Sequence, residues 1–190
     1  MSVISKEINL YNAKQFNESV SEPNPSNVYI TFGKVETWSN DAAPPTANTG
    51  VVAFYDVWRN MIGGKKITGN DIRHVIPRFN WTANTVYYAD GGVTDSDILK
   101  NGTNQFYVIT DQYHVYKCLA NNYGSNSTVQ PTQVITTTHF QTEDGYLWKY
   151  MYTLDAAERS RFTTVDYIPV RTVESDDNST QYQVQDQATP

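Results

Sequence analysis

Several features that mark common classes of protein are scarce in this chain of 190 residues. Cys118 is the single cysteine, so no disulfide can form within the chain, which argues against a cross-linked secreted scaffold. No apolar run approaches the length of a membrane span, and the first residues lack the basic start and apolar stretch of a signal peptide. We therefore expect a soluble protein that is made in the cytoplasm and has no membrane partner.

Positive charge is also scarce. The 14 Lys and Arg residues are outnumbered by 20 Asp and Glu residues, which gives a formal net charge of −6, and the basic residues are scattered along the chain. A protein that binds nucleic acid usually carries a basic patch or stripe that neutralises phosphates. The sequence therefore predicts no nucleic-acid partner.

Catalytic and metal-binding groups lack the spacing that their chemistry needs. His74, His114 and His139 form no His-x-His or His-x-x-x-His pair, and no second cysteine is present to complete a zinc site. His114 and Cys118 share a face of one predicted strand, but the rise along a strand separates them by roughly 13 Å. A nucleophile and its base need hydrogen-bond contact. We expect Cys118 to be a small buried apolar residue instead.

Three other segments carry weaker chemical signals. Residues 90–97 are rich in oxygen ligands, but they lack the alternating acidic pattern and closing glutamate of a calcium-binding EF-hand loop. Glu143 and Asp144 are adjacent carboxylates ahead of a glycine turn, where side chains usually diverge into solvent. Residues 63–66, Gly-Gly-Lys-Lys, do not match a phosphate-binding loop. We expect no catalytic residue, metal site or cofactor.

Aromatic residues, in contrast, are abundant. The chain has 14 Tyr, 7 Phe and 4 Trp, although its hydrophobic content of 39% is below the globular average. Much of the core must therefore be aromatic, which favours β-structure. The densest run covers residues 146–154, where alternation should place five side chains on one face of a strand: Tyr146, Trp148, Tyr150, Tyr152 and Leu154.

Hydrophobic periodicity and turn residues predict the remaining elements. Apolar residues at helical spacing predict helices over residues 2–20 and 51–62, and the capping arrangement of Asp155 with Glu158 predicts a third helix over residues 156–162. A brief helical turn capped by Asn70 should end before Pro77. Strand-like runs cover residues 28–32, 106–110, 114–119, 146–154 and 167–173.

These elements predict a mainly β protein in three parts. The parts are an N-terminal helix over residues 1–20, a β-rich domain over residues 28–173, and a polar segment over residues 174–190. That last segment has almost nothing to bury, so we expect it to be a disordered tail, a segment docked on a neighbour, or a linker to a further portion. The core candidates are Phe32, Cys118, Trp148 and Tyr150. The interface candidates are Ile8 and Tyr11 on the first helix and Trp58 and Arg59 on the second, although core packing is the more common role of a tryptophan.

Segments of this chain, taken in order, resemble the family of baseplate wedge subunits that gene 8 encodes in T4-like contractile-tailed bacteriophages. The segments that carry the resemblance are residues 27–34 (NVYITFGK), Trp38-Ser39, Pro44-Pro45, residues 56–58 (DVW) with Met61 and Gly63, residues 75–78 (VIPR) with Trp81, residues 115–119 (VYKCL) and residues 144–150 (DGYLWKY). The resemblance covers most of the chain, and its specificity lies in their order and spacing.

The resemblance implies a β-sandwich-like domain with short helical insertions, and a structural role without catalysis. It also implies a homodimer that contacts other wedge proteins in the virion tail baseplate, after synthesis in the host cytoplasm. The alternative is a carbohydrate- or receptor-binding tail protein, which needs an exposed aromatic platform with convergent polar groups. The candidates for such a platform are Trp38, Trp58, Trp81 and Trp148.

Overall fold

The computed structural model of the chain describes residues 6–33, 37–46, 48–89, 105–171, 173, 176 and 178–187. The chain divides into two compact units, Met1–Arg73 and His74–Pro190. This boundary differs from the predicted one, which placed residues 28–173 in a single domain. The reason is strand pairing, because the described strands of the first unit pair only with each other.

The first unit contains two helices and one two-stranded antiparallel sheet. Its elements are α1 (Lys6–Ser21), β1 (Tyr29–Phe32), α2 (Val51–Asn60), β2 (Gly63–Lys66) and a 3-10 turn (Gly69–Asp71). β1 pairs antiparallel with β2, a strand that the sequence did not predict because glycine is uncommon within strands. The predicted cap at Asn70 is wrong, since Thr68 donates both its N–H and its hydroxyl to Asp71 at 3.1 and 2.8 Å.

A glycine lets α2 end directly against the two-stranded sheet. The backbone N–H of Ile62 donates to the carbonyl oxygen of Phe32 at 2.9 Å, which ties the residues after α2 to the end of β1. A Cβ atom at Gly33 would lie 2.1 Å from the carbonyl oxygen of Asn60, closer than non-bonded atoms approach. The position of α2 on this sheet therefore depends on the missing side chain at Gly33.

The second unit is built on two antiparallel sheets. Strands β4 (Tyr107–Ile109), β5 (His114–Asn121), β6 (Phe140–Gln141) and β7 (Tyr146–Thr153) form the main sheet in the order β4–β5–β7–β6. β3 (Val75–Pro77) pairs with β8 (Tyr167–Pro169) in the small sheet. Two helices, α3 (Ala156–Phe162) and α4 (Thr180–Gln187), complete the unit. The structure confirms a mainly β fold with short helices and an N-terminal helix.

Each face of the main sheet carries its own core. The first core cluster consists of Tyr87, Val108, Tyr116, Cys118, Phe140, Tyr146 and Trp148. The second consists of Tyr107, Ile109, Val115, Tyr152, Leu154 and Ile168. Because Ile168 belongs to β8, the second cluster lies between the two sheets, and Tyr hydroxyls add hydrogen bonds there: Tyr107 donates to the carbonyl oxygen of Pro77 at 2.7 Å.

A β-bulge at Met151 overturns the predicted single-faced aromatic ladder. On β7, Tyr152 pairs with Val115 but Tyr150 pairs with Tyr116, so β7 has one extra residue between these two pairs. An extra residue reverses the side-chain alternation beyond it. Tyr146, Trp148 and Tyr150 therefore pack in or against the first core cluster, whereas Tyr152 belongs to the second.

The polar C-terminal segment contains a helix that the sequence did not predict. α4 begins where the hydroxyl of Ser179 accepts a hydrogen bond from the N–H of Tyr182 at 3.1 Å. The helix lies against β7, and Val184 is 1% exposed. The expectation that this segment buries almost nothing is thus wrong at Val184, because one apolar residue on a capped helix suffices to dock it.

Candidate interaction surface

The thiol of Cys118 is not built for catalysis. Cys118 is fully buried in the first core cluster, and burial raises the pKa of its thiol to about 12. The Sγ atom donates weakly to the carbonyl oxygen of Ala120 at 3.6 Å, while His114 contacts the hydroxyl of Thr153 through Nδ1 at 2.7 Å. In these hydrogen bonds the thiol of Cys118 and the imidazole of His114 therefore contact other residues and not each other. At neutral pH the thiol is protonated, and a protonated thiol is a poor nucleophile.

The remaining chemical candidates have structural roles or fall outside the described residues. No group of three or more His, Cys, Asp or Glu side chains in the described part of the chain is arranged to hold a metal ion. Residues 90–97, the calcium-like loop, lie outside the described residues. Residues 63–66 form strand β2, where the Lys65 ammonium pairs with the Asp71 carboxylate. That contact, together with the bonds from Thr68, lowers the pKa of Asp71 to about 2.

Asp144 holds a loop rather than facing solvent as expected. Its carboxylate accepts hydrogen bonds from the backbone N–H groups of Thr128 and Val129 at 2.7 and 2.9 Å and from the hydroxyl of Ser127 at 3.0 Å. The hydroxyl of Thr142 donates to its other oxygen at 2.5 Å. These bonds tie the loop after β5 to the turn between β6 and β7. The neighbouring Glu143 is exposed, so the two carboxylates do not form a catalytic pair.

Exposed apolar side chains are concentrated in the first unit. Among its described residues, Val20 is the only buried apolar side chain, whereas fourteen large ones are exposed. Seven of the fourteen lie on or just after α2: Val51, Val52, Phe54, Tyr55, Val57, Trp58 and Ile62. Contiguous exposed apolar surface of this kind marks protein interaction sites.

The four interface candidates from the sequence are all exposed. Ile8 and Tyr11 are exposed on α1, and Trp58 and Arg59 are exposed on α2. The alternative assignment of Trp58 to the core does not hold in this structure, since its side chain is 59% exposed. The sequence alone could not decide this, because a helical apolar stripe has the same pattern whether it faces a core or a partner.

The core candidates divide between the two units. Trp148 and Cys118 are fully buried, and Tyr150 is half-buried against the same cluster. Phe32 is 63% exposed, so its assignment to the core is wrong. β1 belongs to a two-stranded sheet, and such a sheet has no second layer of its own to cover its side chains.

The four tryptophans do not form a common platform. Trp148 is buried, and Trp81 is half-buried with its indole N–H donating to the hydroxyl of Ser127 at 3.2 Å. Trp38 and Trp58 are exposed, and Trp58 contacts Phe54 edge-on with ring centroids 6.1 Å apart.

No described helix is long and apolar enough to cross a membrane.

Comparison with known proteins gives two matches. The model of the family described as "Bacteriophage T4, Gp8" matches residues 2–138. The baseplate wedge protein gp8 of Enterobacteria phage T4 is 34% identical over 71 residues, which cover 35% of this chain and 21% of that protein. The aligned part is thus about a fifth of the length of this curated relative. Because the family model matches well over half of the chain, the chain belongs to the bacteriophage T4 Gp8 family.

Proposed function

We propose that this chain is a structural, non-enzymatic subunit of a bacteriophage tail baseplate wedge. It acts by holding neighbouring wedge proteins in register through protein–protein contacts. Its place is the tail baseplate of the virion, after synthesis in the host cytoplasm, and it self-associates as a homodimer. Its membership in the Gp8 family and the name of its T4 relative support this proposal.

The observation that carries the proposal is that the described part of the first unit exposes far more apolar side chains than it buries. Fourteen large apolar side chains are exposed there, and the one buried apolar side chain among its described residues is Val20. A surface of this kind is costly for a free protein, because each exposed apolar side chain orders water without a compensating contact. A subunit that is covered by neighbours in an assembly gains that contact on binding.

Charge supports protein partners over nucleic acid or membrane surfaces. The first unit contains seven basic and seven acidic residues, and the second contains seven basic and thirteen acidic residues. The whole net charge of −6 therefore belongs to the second unit, and phosphate or anionic lipid would be repelled there. The first unit is neutral, so apolar contact rather than charge attraction governs its association.

Reconstitution with the other wedge proteins of the same phage tests the proposal. The tagged chain is mixed with them, and the masses of the complexes are measured by native mass spectrometry. We expect a defined complex with at least one wedge protein, and we expect Ile30→Thr on the exposed face of β1 to weaken it. Val165→Thr is the matched control, because Val165 is an 86% exposed apolar residue of the second unit.

Two results would overturn the proposal. One is a chain that joins no other wedge protein. The other is tight, specific binding to host-surface glycans in its place, which would assign the chain to the receptor-binding class. Equal loss of assembly in the Ile30→Thr and Val165→Thr variants would show that the first unit has no special role.

A further inference from the structure

The turn that follows β5, residues Asn122–Gly124, displays one tyrosine to solvent. Tyr123 is 105% exposed, which is the exposure of a side chain in an extended peptide. No other tyrosine that the structure describes is more than 63% exposed. Tyr123 therefore contributes almost no packing to the fold of the single chain.

The backbone of this tyrosine is in a conformation that bulky residues rarely adopt. Asn122, Tyr123 and Gly124 have consecutive φ angles of 46°, 56° and 81°, so all three lie in the left-handed region. Asn and Gly tolerate this region, but a bulky side chain is strained there. Strain of this kind persists only where the surrounding structure imposes it, and it is concentrated at functional sites. A strained tyrosine that packs against nothing is not explained by the stability of the chain.

Hydrogen bonds hold the base of this turn in place. The side-chain oxygen of Asn121 accepts from the N–H of Gly124 at 3.2 Å, and the side-chain amide of Asn122 donates to the carbonyl oxygen of Asp144 at 3.0 Å. The N–H of Ser125 donates to the carbonyl oxygen of Asn122 at 3.1 Å. These bonds tie the turn to the end of β5 and to the connection between β6 and β7. The ring at the tip therefore projects from a fixed base.

The surface around the tyrosine is polar and uncharged. Residues 118–142 contain no Asp, Glu, Lys or Arg, although charged residues make up 18% of the chain. Residues 121–127 are Asn-Asn-Tyr-Gly-Ser-Asn-Ser, and residues 122–126 are all exposed. Antibody loops that bind proteins have this composition, because Tyr supplies rigid contact area and Ser, Gly and Asn supply adaptable hydrogen bonds. Charged residues are also depleted at the centre of interfaces. The turn thus has the composition of a protein-binding loop.

We propose that Tyr123 is an anchor residue whose ring enters a pocket on a neighbouring wedge protein. This inference rests on the proposed function, since it names one contact through which the chain holds a neighbour. The pocket that fits this side chain has apolar walls for the ring and a polar group for the hydroxyl, because a buried tyrosine hydroxyl needs a hydrogen-bond partner. Its rim is polar or basic, since the second unit carries the net charge of −6 and Glu143 is exposed next to the residue that holds Asn122.

The shape of the turn favours a protein pocket over a sugar ligand. A small-molecule or sugar site is concave, and its polar groups converge on the ligand. A fully exposed side chain at the tip of a turn is instead the convex partner of a contact, so the pocket belongs to the other molecule.

Exchange of the tyrosine for asparagine separates a binding role from a structural one. Asparagine tolerates the left-handed region, so Tyr123→Asn relieves strain, and we expect the melting temperature of the full chain to rise by about 2–4 °C. We expect its affinity for the wedge protein that the wild type binds to fall at least about tenfold, because truncation of an anchor residue removes its buried contact. Calorimetric titration measures the affinity. Val165→Asn, at an 86% exposed apolar residue of the second unit, is the matched control and should bind as the wild type does.

Hydroxyl-radical footprinting locates the contact without a substitution. In the free chain Tyr123 should be the most strongly oxidised tyrosine, because its ring is the most exposed. Formation of the complex with the wedge protein should protect it. Tyr116 is 0% exposed and serves as the internal control, since it should stay unmodified in both states.

The outcomes separate this inference from the proposed function. A wedge complex that Tyr123→Asn forms with unchanged affinity, or in which Tyr123 stays fully reactive, would overturn the anchor and leave the wedge function standing. A lower melting temperature of Tyr123→Asn would also overturn it, because the tyrosine would then support the fold. A chain that binds no wedge protein would overturn both. Glycan binding that is lost with Tyr123→Asn would assign the tip to sugar recognition and refute the protein pocket.

Discussion

The hydroxyl of Tyr152 donates a hydrogen bond of 2.9 Å to the carbonyl oxygen of Pro169. Tyr152 lies on β7 and Pro169 ends β8, so this bond joins the two sheets of the second unit. Both residues are buried, and water cannot replace the lost donor. We expect Tyr152→Phe to lower the free energy of unfolding by about 1–2 kcal/mol, measured by urea denaturation.

The matched control for that substitution is Tyr116→Phe. The hydroxyl of Tyr116 is also buried, but it has no hydrogen-bond partner in the part of the chain that the structure describes. A buried hydroxyl without a partner destabilises a fold, so its removal should leave the free energy of unfolding unchanged or raise it by up to about 1 kcal/mol. A loss as large as that of Tyr152→Phe would contradict this view of the first core cluster.

Trp148 should be the most sensitive position of the first core cluster. Its side chain is 0% exposed, it stacks on Tyr146 at 5.6 Å, and it meets Tyr87 edge-on at 5.7 Å. We expect Trp148→Ala to lower the free energy of unfolding by about 3–5 kcal/mol, because the cavity that it leaves cannot close. Trp58→Ala is the control at an exposed tryptophan, and its effect on the single chain should stay within about 0.5 kcal/mol. Similar melting temperatures for the two variants would count against the burial of Trp148.

The periodicity of the sequence predicted where the strands lie better than it predicted which side chains share a face of the sheet. β5 and β7 were found at the predicted positions because β-branched and aromatic residues fit a pleated, half-buried surface. The bulge at Met151 was not foreseen, because a bulge is a property of the pairing between strands. No count of residues within β7 reveals that the alternation reverses between Tyr150 and Tyr152.

Burial in the first unit could not be predicted for a related reason. Phe32 and Trp58 have the apolar spacing of core residues, but both are exposed in the structure. A sequence shows which side chains avoid water and not which molecule covers them. Under the proposed function a neighbouring protein covers these side chains, and the spacing of residues within one chain carries no record of that neighbour.

Cys118 should react only when the second unit unfolds. Its thiol is fully buried, and burial raises the pKa to about 12, so the thiolate that attacks disulfide reagents is absent at neutral pH. We expect an aromatic disulfide reagent to leave the native chain unmodified and to titrate one thiol in guanidinium chloride. The reaction rate in native buffer then reports the opening of the fold. Rapid modification of the folded protein would reveal an accessible thiol and reopen the question of its chemistry.

Asp144 should make the free energy of unfolding depend on pH in the acidic range. Burial opposes ionisation of this carboxyl, but the hydrogen bonds from Thr142, Val129, Thr128 and Ser127 outweigh it and lower the pKa. A carboxyl whose pKa is lower in the folded state stabilises the fold above its unfolded pKa of about 3.9, and that contribution is lost as the pH falls through the depressed value. We expect Asp144→Asn to lower the free energy of unfolding at pH 7 by about 1–3 kcal/mol, since an amide cannot accept all of these bonds. The same variant should lose less stability on acidification than the wild type, whereas Glu143→Gln, at the exposed neighbour, should change neither value. Parallel acid unfolding curves for wild type and Asp144→Asn would show that the loop is held by something other than this carboxylate.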